Sequence, residues 1–235
     1  MQIFYHPNIV LDTTIELSEE ESAHLKVLRK RESDLIQLMN GQGELYASTI
    51  VGFSKKNAIV HCQQLLSKTP KSATQLHLAI APTKNMDRIE WLAEKATEIG
   101  VDTISFVLCK NAERKELKLE RIHKIVLSAA KQSYHLHLPT IQPIVAFSTF
   151  VKENKDAVKL IGYCEEKTQF IYSTFVKEKS HCILIGPEGD FSPAEIAIAK
   201  ENGFQPVSLG ESRLRVETAA LYACNAFSVF NNVAI

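Results

Sequence analysis

Long apolar runs and paired cysteines are both absent from this sequence of 235 residues. No stretch approaches the roughly 20 apolar residues that a membrane helix requires, and the first residues lack the basic start and apolar core of a signal peptide. The five cysteines are scattered without a CxxC pair, so there is no framework for a structural zinc site. These absences predict a cytoplasmic protein with reduced thiols, no membrane segment and no metal.

An excess of either charge is also absent, since 27 basic side chains balance 27 acidic ones. A general nucleic-acid coat would carry a basic surplus, and that class is therefore disfavoured. A specific RNA enzyme needs only a local basic patch. Such a patch is present at Lys26, Arg29, Lys30 and Arg31, whereas a second basic run over residues 110–124 is diluted by glutamates.

Several nucleotide and catalytic motifs are missing. There is no GxGxxG fingerprint, no P-loop and no GxSxG nucleophile elbow, so a dinucleotide site, an ATP site and a serine hydrolase are not supported. The one close pair of histidines, His135 and His137, has no third ligand nearby and is interpreted as exposed loop residues.

The first 70 residues differ in pattern from the rest. Short β-type runs alternate with turn signals, and one helix is predicted from Ser18 through Leu28, where Ser18 and Glu21 fit a capping box. A polar, basic, proline-containing linker follows over residues 67–72. The predicted domains are therefore 1–70 and 74–235. The predicted strands of the first domain are Gln2–Tyr5, Leu35–Met39, Leu45–Phe53 and Ala58–Leu65.

From Gln75 onward, apolar strands alternate with amphipathic helices. This order predicts an α/β domain with a mostly parallel sheet covered on both faces. The predicted strands are Leu76–Ala81, Thr103–Leu108, Val158–Tyr163, Cys182–Ile185 and Pro206–Leu209. The predicted helices are Asp87–Ile99, Leu119–Ser133, Pro193–Asn202 and Val216–Phe230.

Two glycine loops follow two late strands, IGPEGD at 185–190 and SLGESRLR at 208–215. Ligands of open α/β sheets bind beyond the carboxyl ends of the strands, and glycine there lets the backbone approach a ligand closely. Either loop alone is an ordinary strand-to-helix connection. Together, with Arg213 and Arg215 opening the last helix, they predict a ligand site.

These motifs resemble a known family. The segments LIGPEGDFSPAEI and GFQPVSLGESRLRVETAALYACNAF are similar to the C-terminal signature of the ribosomal RNA small-subunit methyltransferase E family. APTKNMDRIEWLAEKATEIGVDTI and AAKQSYHLHLPTI resemble its first helix and the end of its middle helix, and HLKVLRKRESDLIQLMNGQGELYASTI resembles its N-terminal barrel. The chain departs from the common pattern at Lys131, His135 and the run Glu211-Ser212-Arg213.

The resemblance implies a C-terminal SPOUT methyltransferase domain with a trefoil knot and a small N-terminal β-rich, PUA-like barrel that binds RNA. It implies a homodimer that uses S-adenosyl-L-methionine (SAM) to methylate N3 of a uridine in 16S rRNA, on the small ribosomal subunit. Two alternatives stay open. One is a SPOUT methyltransferase for tRNA or large-subunit rRNA, and the other is a non-catalytic RNA-binding assembly factor.

The resemblance also assigns site residues. An arginine stays charged, and its fork can hold a carbonyl oxygen or a phosphate. Arg215 is therefore the first catalytic candidate and Arg213 the second. The alternative is that each arginine forms an ion pair with Glu211 or Glu217. Glu188 would accept a proton or hydrogen bond from the base, or stabilise its turn. The predicted cofactor residues are Ile161, Gly162, Leu184, Ile185, Gly186, Pro187, Gly189, Leu209, Gly210, Leu214 and Thr218. The predicted RNA-binding residues are Lys26, Arg29, Lys30, Arg31, Lys84, Arg88 and Gln132. The last-helix residues expected in either the core or a dimer interface are Leu221, Tyr222, Asn225, Phe227 and Phe230.

Overall fold

The computed structural model describes residues 2–163 and 168–232, and it divides into two compact units. The first unit comprises the chain up to Lys71 together with Ala130–Leu138, and the second comprises Ser72–Ala129 and the chain from Pro139 onward. The segment 130–138, which the sequence analysis placed in the second domain, thus belongs to the first unit. Cys164 lies outside the described residues.

The first unit contains one five-stranded sheet in the order β1-β3-β4-β5-β2. The β1–β3 pair is parallel and the other pairs are antiparallel. Register shifts interrupt the long β4–β5 pair. The strands are β1 (Ile3–Tyr5), β2 (Thr14–Glu16), β3 (Leu35–Met39), β4 (Glu44–Phe53) and β5 (Ala58–Lys68), with helix α1 (Glu19–Val27) between β2 and β3.

Apolar and polar contacts hold helix α1 against this sheet. Leu25 is buried in the unit's core, and the Ser22 hydroxyl accepts a hydrogen bond from the Ala58 N–H at 2.8 Å. Ser18 begins the helix, since its side chain accepts from the Glu21 N–H at 3.2 Å. The Glu21 carboxylate, which a capping box would turn back onto Ser18, contacts Lys131.

The second unit contains a seven-stranded sheet in the order β10-β12-β9-β11-β6-β7-β8. Every pair in it is parallel, which confirms the predicted α/β class. The strands are β6 (Gln75–Ile80), β7 (Thr103–Leu108), β8 (Thr140–Ala146), β9 (Val158–Gly162), β10 (Gln169–Phe170), β11 (Ser180–Ile185) and β12 (Gln205–Ser208). The helices are α2 (Met86–Ile99), α3 (Leu119–Ser133), α4 (Phe147–Glu153), α5 (Pro193–Glu201) and α6 (Val216–Asn232). The end of α3, from Ala130 onward, is counted with the first unit.

Local sequence explains where the helices begin and end. The Asn85 side chain caps α2 by accepting from the Asp87 N–H, and Gly100 ends it with φ +95°, a conformation that favours glycine. Ser192 and Glu195 form a complete capping box on α5. No helix in the described residues is both long and apolar enough to span a membrane.

Helix α6 supplies part of the core. Phe227 and Phe230 are buried, so the structure assigns them to the core of the unit, whereas Tyr222 and Asn225 are exposed. Leu221 is partly buried against the same core.

The sequence analysis missed three strands and one α-helix, all with weak local signals: β2, β8, β10 and α4. Strand β8 contains Pro143, which cannot donate a ladder hydrogen bond. Strand β8 lies at the edge of the sheet, and its register with β7 shifts between Ser105 and Phe106, next to the proline. An edge position with an irregular register is where a strand tolerates proline.

Candidate functional site

Three neighbouring strands of the second unit bring the predicted cofactor loops together. In the register of β12, β9 and β11, Gly162 pairs with Val207 on one side and with Ile185 on the other. Because the strands are parallel, the segments that follow them leave from the same edge of the sheet. The loops after Ile185 and Ser208 therefore flank the end of β9.

Gly162 lies where these segments meet. A Cβ at this position would stand 3.1 Å from Ile185 Cδ1, 3.6 Å from Leu209 Cδ1 and 3.8 Å from the Leu184 carbonyl oxygen. The site thus combines apolar side chains with nearby main-chain polar groups. Small-molecule pockets that hold a flat heterocycle have this composition.

The glycines of these loops are required for different reasons. A Cβ on Gly186 would stand 2.9 Å from the ring of Phe191, which is buried, so this glycine is needed for packing. The sequence analysis explained Gly186 by close approach to a ligand, and that role stays a prediction. A Cβ on Gly189 would lie 3.1 Å from Asn111 Cβ. Gly210 has φ +115° and open space where its Cβ would be, so its requirement is conformational.

The two candidate catalytic arginines stand at the start of α6. The Arg215 carbonyl accepts the first helical hydrogen bond, from the Ala219 N–H at 2.7 Å, and both arginine side chains are exposed. In the part of the chain that the structure describes, neither guanidinium forms an ion pair. Glu217 instead lies 3.5 Å from the Arg88 guanidinium. Within the described residues, the structure therefore does not contain the alternative ion pair between Arg215 and Glu217.

The remaining cofactor candidates of this edge lie around the same loops. Ile161, Leu184, Ile185 and Pro187 are buried beside Gly162 and Gly186. Leu214 is half-buried, and Thr218 is exposed in the first turn of α6.

Glu188 connects two loops. It is exposed, and one carboxylate oxygen accepts a hydrogen bond from the Lys84 N–H at 3.1 Å. The Lys84 ammonium lies 2.9 Å from Glu113, and this hydrogen-bonded carboxylate raises the pKa of Lys84. This contact joins the loop after β11 to the loop after β6, and both predicted roles of Glu188 stay predictions.

The predicted RNA-binding residues fall in both units. In the first unit, Lys26, Arg29 and Arg31 are exposed around the end of α1, Lys30 is half-buried, and Gln132 is exposed. Lys84 and Arg88 belong to the second unit, where each has an acidic partner.

A polar network that no sequence motif indicated lies near the amino ends of the strands. His77 Nδ1 is 2.8 Å from Asp156, and His77 Nε2 is 2.7 Å from the Ser105 hydroxyl. Asn154 donates to Asp156 at 2.7 Å. Burial by itself would raise the pKa of Asp156, but the hydrogen bonds from His77 and Asn154 outweigh it and hold that pKa below the usual value.

Cys182 lies beside this network, and His77, Asp156 and Cys182 place three potential metal-ligand atoms within 4.8 Å of one another. Burial raises the pKa of the Cys182 thiol well above its ordinary value, which keeps it protonated. The polar atoms of His77 already have partners, so this is an internal hydrogen-bond network. Sequence analysis could not find it, because His77 and Asp156 are 79 residues apart.

Comparison with known proteins identifies the chain's relatives. Residues 70–228 match the family model of an RNA methyltransferase domain, and residues 17–61 match that of an RNA methyltransferase PUA domain. The ribosomal RNA small subunit methyltransferase E of Mesomycoplasma hyopneumoniae is 33% identical over 205 residues, which cover 85% of this chain and 87% of that protein.

Solved structures point to the same family as the sequence relatives. A crystal structure from Porphyromonas gingivalis, assigned to the rRNA-methyltransferases, is 38% identical with a TM-score of 0.88 and 95% coverage of both chains. A ribosomal RNA small subunit methyltransferase E from Neisseria gonorrhoeae, bound to S-adenosyl methionine, is 28% identical with a TM-score of 0.89 and 98% coverage of both chains. With the RNA methyltransferase model matching 159 of its 235 residues (70 through 228), the chain belongs to the ribosomal RNA small-subunit methyltransferase E family.

Proposed function

We propose that this chain transfers the methyl group of SAM to N3 of a uridine in 16S rRNA, within the small ribosomal subunit. The observation that supports this most directly is the convergence of the loops after β11 and β12 on the end of β9 at Gly162, in a chain of this family. The trefoil knot, an RNA-binding role of the first unit and a methyltransferase role of the second are part of the same proposal.

The residues around Gly162 fit SAM. Ile185, Leu209 and Leu214 would contact the adenine with apolar side chains, and main-chain groups from Leu184 to Gly189 would recognise its polar edge. When bound, SAM supplies an electrophilic methyl group on a sulfonium. The protein must keep the nucleophile aligned with that methyl group and exclude water.

Arg215 would supply the electrostatic part of catalysis. Uridine N3 carries its proton between two carbonyl groups and becomes a good nucleophile only as that proton leaves. A guanidinium without a carboxylate partner, at the positive end of α6, can stabilise the negative charge that develops on a carbonyl oxygen. Arg213 would bind a neighbouring phosphate. One oxygen of Glu188 is engaged by Lys84, which leaves the other for a hydrogen bond from the base.

Binding of the RNA would use the exposed basic residues. Lys26, Arg29, Lys30 and Arg31 form a local patch in the first unit and would pair with phosphates, which makes affinity fall with salt. We also propose a homodimer, formed through the exposed face of α6 with Tyr222, in the cytoplasm where ribosomes assemble.

Small subunits that lack the modification provide the test. They are incubated with the protein and isotopically labelled SAM, and the label is located by nuclease digestion and mass spectrometry. A single N3-methyluridine in 16S rRNA is the expected result. Label found only in tRNA or large-subunit rRNA would redirect the substrate assignment, and no label together with no SAM binding would favour the non-catalytic assembly factor.

A further inference from the structure

The connection from β7 to α3, residues 109–118, contacts the loop that follows β11. The Asn111 side-chain amide donates to the Gly189 carbonyl at 3.0 Å and to the Asp190 carbonyl at 2.9 Å. Both acceptors are main-chain atoms, so Asn111 holds the path of the backbone. Gly189 permits the close approach, because a Cβ there would lie 3.1 Å from Asn111 Cβ.

The same connection contacts the loop that follows β6. Arg114 donates from Nε to the Thr83 carbonyl at 3.1 Å and from Nη2 to the Lys84 carbonyl at 2.5 Å. The Lys84 N–H in turn donates to Glu188 at 3.1 Å, which closes a ring of contacts. Strands β11, β6 and β7 are neighbours, so three adjacent loops at one edge of the sheet are joined through main-chain atoms.

We propose that Asn111 and Arg114 are positioning residues that hold the Glu188–Gly189 loop in the geometry required for methyl transfer; this rests on the proposed function. Neither side chain needs to touch SAM or RNA in this role. A guanidinium presents its donors to two successive carbonyls in a fixed planar fork, whereas the ammonium of a lysine is a flexible point charge that would hold them less rigidly. Loss of either residue therefore frees the backbone of a loop that borders the cofactor site.

A purely electrostatic role of Arg114 toward RNA is the competing explanation. A cleft of about 460 Å³ beside Arg114 is lined by Lys84 and Lys115 and also by Glu113 and Glu116, so its lining carries only a small basic surplus. The two roles differ in one respect. The positive charge is preserved in Arg114→Lys, whereas the fixed planar fork is lost.

The experiment compares two variants with a control. Asn111→Asp removes the amide donor with little change of shape, and Arg114→Lys keeps the charge. Lys115→Gln, in the same segment, removes a charge and serves as the control. Amide hydrogen exchange is measured over residues 82–85 and 186–190, together with RNA affinity and the single-turnover methylation rate on small subunits. For the first two variants we expect faster exchange in both segments, RNA affinity within about twofold, and a rate lower by roughly 10- to 100-fold, the effect of a small misplacement of reacting groups. Lys115→Gln should leave the exchange unchanged.

Normal exchange and a normal rate in Arg114→Lys would overturn the proposal, because charge alone would then explain the role of Arg114. Unchanged exchange in Asn111→Asp would also overturn it, because the side-chain amide would then not hold the loop. Hydrogen exchange needs no substrate. If the wild-type protein methylated no rRNA, the proposed function would fail, while the exchange measurement would still decide whether these two residues hold the loops.

Discussion

The Lys131 ammonium lies 2.5 Å from the Glu21 carboxylate, and the side chains are only 15% and 3% exposed. The second Glu21 oxygen, Oε2, is buried with no hydrogen-bond partner among the described residues. Lys131 is one of the positions at which the sequence departs from the common pattern of the family that it resembles. Its acidic partner is supplied by α1 of the same unit.

Removing one member of this pair should destabilise the protein. Lys131→Met leaves the Glu21 charge buried without a partner, and we expect the free energy of unfolding to fall by roughly 3–5 kcal/mol. Urea unfolding followed by circular dichroism measures this change. The double variant Glu21→Leu/Lys131→Met should lose less than the sum of the two single variants, and simple additivity would mean that the charges do not interact.

Arg215→Ala should separate cofactor binding from catalysis. We expect SAM affinity to stay near the wild-type value and the methylation rate to fall by roughly 100-fold or more, as when one electrostatic donor is lost. Calorimetry and single-turnover assays measure the two quantities, and Glu211→Gln, in the same loop, is the control for a nonspecific change of charge. An unchanged rate would remove Arg215 from the mechanism.

Gly186→Ala should act through packing against Phe191. Its Cβ would stand 2.9 Å from the ring, so the ring or the loop must move, and overpacking of this kind costs roughly 1–3 kcal/mol. We also expect weaker SAM binding, because the displaced loop borders the cofactor site. Phe191→Leu shortens the obstructing side chain and should partly restore SAM affinity in the double variant. No restoration would indicate that the backbone at Gly186 contacts the ligand directly.

His181 should make the stability of the second unit depend on pH. The ring is buried between Phe175 and Phe227, its Nδ1–H donates to the Lys179 carbonyl, and its Nε2 accepts from the Val176 N–H. Burial lowers the pKa of His181, although the nearby charge of Asp156 opposes this. Because the unfolded chain then takes up the proton first, stability is fully present above the ordinary histidine pKa of about 6.5 and is lost as the pH falls below it.

Thermal unfolding followed across this pH range measures the effect. His181→Gln keeps a donor and an acceptor without titrating, so its melting temperature should depend less on pH between about 7 and 5. An identical pH dependence in both proteins would assign the effect to other groups.

The sequence by itself determined the local features of this protein. Helix limits at Ser18, Gly100 and Ser192 follow from side chains that satisfy the terminal N–H groups or adopt a positive φ, and both requirements act within a few residues. Apolar continuity likewise predicted the parallel sheet. The family signature pointed to the loops around Gly162, because it is itself a run of consecutive residues.

Only the tertiary structure decided which distant side chains meet. Asn111 binds carbonyls 78 and 79 residues away, and Lys131 pairs with a glutamate 110 residues away, so no local spacing could reveal either contact. The tertiary structure also decided the strand order that places β9 between β11 and β12. It depends on how helices and strands pack to bury apolar surface together, and that is a property of the whole chain.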